Sequence, residues 1–90
     1  MRDYFKEFRK AEKLGASYVK DLFYVFLDDI ESEKNVGEVN RLHNDITCCA
    51  IFSDRKTQRI YGEIGDKLAY WVEDKCVLND CGEIVSFKGE

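Results

Sequence analysis

Four cysteines and a single histidine are the residues whose types could do chemistry in this chain: Cys48, Cys49, Cys76, Cys81 and His43. Thiolates beside an imidazole invite zinc. A structural zinc site draws its ligands from knuckles of roughly Cys-x₂₋₄-Cys spacing, because a tight turn has to aim two sulfurs at one ion. Cys48 and Cys49 are adjacent, so on a strand they point to opposite faces. Cys76 and Cys81 straddle a hairpin turn, one in a strand and one at its tip. This spacing favours thiols packed as small apolar residues over metal ligands. No metal and no cofactor is therefore expected, and a small Cys/His zinc-binding domain is the least favoured alternative.

The same residues could form a nucleophile, with His43 activating Cys48 or Cys49 and Asp45 orienting the ring. No local signature supports it, and a solvated loop histidine is the simpler account of His43. The stretch Gly62-Glu63-Ile64-Gly65 bears a faint likeness to a phosphate or nucleic-acid loop. Phosphate loops open onto a helix N-terminus, whereas these glycines suit a strand and its turn. No Ser/His/Asp set and no cofactor fingerprint is present, so the expectation is a protein that is not an enzyme.

Charge is the second informative feature. The chain carries a net charge of −4, distributed unevenly. Residues 1–27 hold six Lys/Arg and four Asp/Glu, residues 28–54 hold two and seven, and residues 55–90 hold six and seven. The acid thus concentrates in Asp28, Asp29, Glu31, Glu33, Glu38 and Asp45. Carboxylates at a helix C-terminus oppose the macrodipole. Their retention suggests a docking surface for a basic partner, where charge raises association rate and selects partners. A solvated helix end is the simpler account of the same residues, since charge runs are usually solvated. Dispersed cations and net acidity argue against nucleic-acid binding by phosphate neutralisation.

Ninety residues accommodate one domain, 1–90, and a chain of this size has a thin stability margin. Twelve aromatics offset that, each burying about 150–250 Å². The N-terminus, Met1-Arg2-Asp3-Tyr4-Phe5-Lys6-Glu7, places charges where a signal peptide needs an apolar run. The longest apolar stretch, Leu22 to Leu27, has six residues, against about 20 for a membrane span. These features predict no membrane association and a cytoplasmic location, where the cysteines stay reduced.

The elements that must position these residues follow from periodicity. Phe5, Phe8, Ala11 and Leu14 recur every three residues and predict a helix over about 2–14. Gly15 interrupts, Ser17 can cap a new start, and Tyr18, Val19, Leu22, Phe23, Phe26, Leu27 and Ile30 predict a stronger helix over about 18–33. A single kinked helix is the alternative. Residues 34–45 read as a polar connection. From residue 46 the pattern reads as period 2. Gly65-Asp66 suits a type II′ hairpin turn, which would pair Tyr61 with Tyr70 and Ile60 with Trp71. Asp54-Arg55-Lys56-Thr57 and Asp74-Lys75 serve as further turns. Asn79-Asp80-Cys81-Gly82 fits a type I turn with Gly82 left-handed, pairing Leu78 with Ile84 and Val77 with Val85.

The predicted fold class is α+β: one or two N-terminal helices (about 2–33) followed by an antiparallel four- to five-stranded meander sheet (about 46–88). Alternation would give that sheet two apolar faces, one of them centred on Trp71. The functional expectation is a small intracellular non-enzymatic regulator or inhibitor that binds another protein, of a kind encoded by mobile elements such as phages. It would dock through an apolar sheet face, with Trp71 at the centre of one face and Tyr61 and Tyr70 on the other, and through Asp28, Asp29, Glu31 and Glu33. A structural homodimer closed by the same face is the alternative.

Overall fold

The structure, a computed structural model, describes residues 2–89. Four helices, α1 (Tyr4–Glu12), α2 (Ala16–Glu33), α3 (Val36–Ile51) and α4 (Arg55–Lys75), are followed by a hairpin of β1 (Cys76–Leu78) and β2 (Ile84–Phe87). The predicted four- to five-stranded meander does not form. Residues 46–75 are helical almost throughout, and the sheet consists of two antiparallel strands.

The helix starts show why. Asp3, Asn35 and Asp54 each accept a hydrogen bond from the backbone N–H three residues on, at Lys6, Glu38 and Thr57. Such caps satisfy one of the donors a helix leaves free at its first turn. Asp54-Arg55-Lys56-Thr57 is therefore a helix start and not a hairpin loop. Between caps the buried residues keep helical spacing: Val39, Leu42, Ile46 and Cys49 on α3, and Tyr61, Ile64 and Leu68 on α4. Steps of three and four put each set on one face. The segment 34–45, expected as a connection, supplies most of α3. The two N-terminal helices lie where the periodicity places them. Gly15 separates them at φ 129°, and no side chain, Ser17 included, caps α2.

Short connections at residues 13–15, 34–35 and 52–54 force successive helices antiparallel. Packing joins α1 to α2 and α3, and α4 to α2 and α3. Polar contacts fix the directions. Tyr4 Oη reaches Glu38 at 2.6 Å and Arg9 reaches Ser53 at 3.4 Å, so α1 and α3 run parallel. Lys20 pairs with Glu63 at 2.7 Å and Lys75 with Glu31 at 3.3 Å, so α2 and α4 do as well.

Aromatic rings fill the centre. Phe26 meets Tyr4 and Phe8 edge-on, with centroids 4.8 and 5.2 Å apart, and Phe8 meets Tyr61 at 5.9 Å. Each such pair contributes about 0.5–1.5 kcal/mol beyond its buried area. At the far end the hairpin closes the core with Cys76 and Phe87. The Phe87 ring stands edge-on to Trp71 at 6.1 Å, with the Lys34 ammonium 5.4 Å above it. The hairpin turn follows its sequence signature. Gly82 takes φ 81°, and Asn79 Oδ1 accepts from Cys81 N and Glu83 N. Leu78 pairs with Ile84 as predicted, but a bulge shifts Val77 onto Ser86 instead of Val85.

Candidate functional site

An open channel runs between α3 and α4. Its floor and walls are Ile46, Ala50 and Ile51 from α3 and Gly62, Gly65 and Ala69 from α4, with His43, Thr47, Gln58 and Asp66 at the rim. The channel holds about 620 Å³. A second hollow of about 280 Å³ shares His43 and Ala69 and continues towards the hairpin over Val39, Leu68, Val72, Leu78 and Ile84. Together they form an apolar track along the α3–α4 seam. Ligand sites are concave and mostly apolar with a few polar groups at fixed places, and this track fits that description.

The three small residues of α4 create it. Gly62, Gly65 and Ala69 fall three and four residues apart, so they share one flank of the helix. A methyl group at Gly62 would meet nothing within 4 Å, and one at Gly65 would rest 3.9 Å from Ile46 Cγ2 in ordinary contact. Internal packing does not call for glycine at either place. Each one costs about 1 kcal/mol relative to alanine in a helix interior.

The channel wall is held from behind by a polar knot. Tyr61 is 1% exposed, and its hydroxyl donates to Glu12. Burial, then that hydrogen bond, raises the Tyr61 pKa far above its ordinary range. Ser53 Oγ donates to Cys49 O at 2.5 Å, and Arg9 Nη1 reaches Phe52 O at 3.3 Å and Ser53 Oγ at 3.4 Å. The ends of α1 and α3 and the start of α4 are thereby locked together. A matching knot at the opposite end joins Tyr4, Glu38 and Arg41, whose guanidinium lies 2.8 Å from both Glu38 oxygens. The Tyr4 hydroxyl, with Arg41 in support, holds Glu38 below its ordinary 4.5.

The residues singled out from the sequence are scattered. Tyr61 and Tyr70, expected opposite each other across a hairpin, stand nine residues apart on one helix. That is two and a half turns at about 3.6 residues per turn, which puts them on opposite sides. Tyr61 is core, and Tyr70 is 74% exposed. Trp71 is half-buried beneath the hairpin. The sheet whose two faces were to carry them does not form, and all three lie on α4. Among the acids, Asp29 pairs with Arg2, Glu31 with Lys75, and Glu38 with Arg41, while Asp28 and Glu33 are exposed.

Cys48 and Cys81 are exposed thiols, and Cys49 and Cys76 are buried. Burial pushes the Cys49 thiol up to about 11 and raises Cys76 too. His43 lies on α3 at the channel rim rather than in a loop. Among the described residues no three His, Cys, Asp or Glu side chains are grouped to hold a metal. No described helix is long and apolar enough to cross a membrane. The channel residues were within reach of the sequence: Gly62, Gly65 and Ala69 align once 55–75 is read at helical period.

Comparison with family profiles, curated proteins and solved structures finds no match to this chain.

Proposed function

We propose that the chain is a small non-enzymatic regulator that binds another protein, receiving an apolar helix of that partner in the α3–α4 channel. The pair Gly62 and Gly65 carries this reading. Helix interiors favour almost any residue over glycine, and here the missing side chains serve no internal contact. What they leave is room for a foreign backbone or side chain to approach α4 closely. The polar knot at Tyr61, Glu12 and Ser53 supports it by fixing the wall, so that docking meets a preformed surface. Ile51, 67% exposed at the channel mouth, gives a partner an apolar anchor.

The test is affinity capture with the natural chain and its G62A/G65A variant side by side, each checked for fold by circular dichroism. A protein held at one-to-one stoichiometry by the natural chain and lost with the variant supports the channel. The same protein held equally by both refutes it. A homodimer in native mass spectrometry that the variant abolishes would hand the channel to a second copy instead.

A further inference from the structure

A group of cations without salt-bridge partners among the described residues gathers at one end of this acidic protein. The loops 13–15 and 52–54 share the end of the bundle where α1 and α3 finish and α2 and α4 begin, joined by the Arg9 contacts to Phe52 and Ser53. Lys56 and Arg59 line a hollow there with Gly15 and Ala16. Lys10, Lys13, Arg55, Lys56 and Arg59 are all exposed, and none forms a salt bridge among the described residues. The nearby acids are engaged: Glu12 by Tyr61 and Arg9, Glu63 by Lys20, and Asp54 in capping α4. At the same end two apolar side chains outside the channel, Leu14 and Phe52, are each 67% exposed.

We infer that this end is a second docking surface, taking a partner protein's segment in which carboxylates stand beside aliphatic side chains. Charge complementarity selects the carboxylates. Leu14 and Phe52 require apolar partners, which a phosphate backbone does not supply. A nucleic-acid duplex would also overrun an end whose short dimensions are 24 and 19 Å, onto a molecule of net charge −4. A short peptide segment stays within the patch.

The probe is a blocked, fluorescein-labelled peptide of about 15 residues, long enough to be helical, repeating two glutamates and two leucines. Saturable binding is expected, with amide shifts at Leu14 and Phe52. K13E/K56E, two exposed positions, should weaken it about tenfold or more, as should raising NaCl from about 50 to about 300 mM. L14S should weaken it at constant charge, and G62A/G65A should leave it unchanged, which separates this surface from the channel. Absence of saturable binding, or binding indifferent to K13E/K56E, overturns the inference. So does tighter binding to duplex DNA or to phosphatidylserine vesicles, or low-salt self-association that K13E/K56E abolishes.

Discussion

Replacing Gly62 and Gly65 together by alanine should make the protein more stable while adding two methyl groups to its channel wall. Both positions are interior to α4, and neither takes a positive φ. Alanine recovers about 0.8–1 kcal/mol at each, partly by narrowing the unfolded ensemble. At Gly62 the new methyl meets nothing, so that is the whole effect. At Gly65 it adds contact with Ile46 Cγ2 at 3.9 Å, worth at most a few tenths of a kcal/mol from a partly covered methyl. The sum is about 2 kcal/mol. For a domain near this size 1 kcal/mol moves Tm by about 4–8 °C, so a rise of roughly 8–16 °C is expected. Thermal and urea unfolding followed at 222 nm would measure it, with the single variants contributing nearly additively. A double variant of equal or lower stability would refute the reasoning. It would mean that α4 needs glycine for its own packing, and the case for a channel kept open for a partner would fall with it.

Iodoacetamide at neutral pH should label Cys48 and Cys81 in the folded protein and reach Cys49 and Cys76 only after unfolding, because burial both shields the latter pair and disfavours their thiolates; mass spectrometry of the alkylated peptides reads this directly. Glu38 titrates lower in the folded than in the unfolded chain, so its contribution is complete above its ordinary 4.5 and is lost as pH falls through the folded value. Tyr4→Phe removes the main cause, and should move the Glu38 titration seen by NMR, and the acid limb of stability, to higher pH. Phe87→Ala should remove about 3–5 kcal/mol from urea unfolding and shift Trp71 emission to the red, since Phe87 is 2% exposed and covers that indole; an unchanged emission would mean that the hairpin does not depend on Phe87 for its seat.

The parts of the fold legible in the sequence are those whose signals were local and unambiguous. Gly15 flanked by two three-to-four-residue stripes gives α1 and α2, and Asn79-Asp80-Cys81-Gly82 gives the final turn. The middle was misread because a wide apolar run satisfies both periods. Ile46-Thr47-Cys48-Cys49-Ala50-Ile51-Phe52 alternates as well as it spirals, and only the upstream Val39 and Leu42 show that the stripe is helical. In α4 the glycines read along the sequence as punctuation. Yet a turn needs glycine for a backbone angle, and Gly62 and Gly65 keep ordinary helical ones. Asp54 is the corrective, since an aspartate immediately before a stretch with apolar residues at Ile60, Ile64 and Leu68 marks a helix start.

The charge pattern shows why a site can be invisible along a chain and plain in space. The acidic run Asp28 to Glu38 is contiguous in sequence, so it draws attention. Folding then brings Arg2 and Lys75 from two distant segments onto Asp29 and Glu31, and Arg41 meets Glu38 one turn along their own helix. The cations of the opposite end come from the tail of α1 and the head of α4, more than forty residues apart at Lys13 and Lys56. Neither stretch is basic enough alone to suggest a surface. Antiparallel helices with short connections gather alternate ends together, so α1's C-terminal lysines and α4's N-terminal cations must converge once the helix count is four. The same count carries the apolar tips with them: Leu14 closes α1, and Phe52 closes α3. A patch of this kind is a property of the topology, and reading the helix number correctly is what makes it predictable.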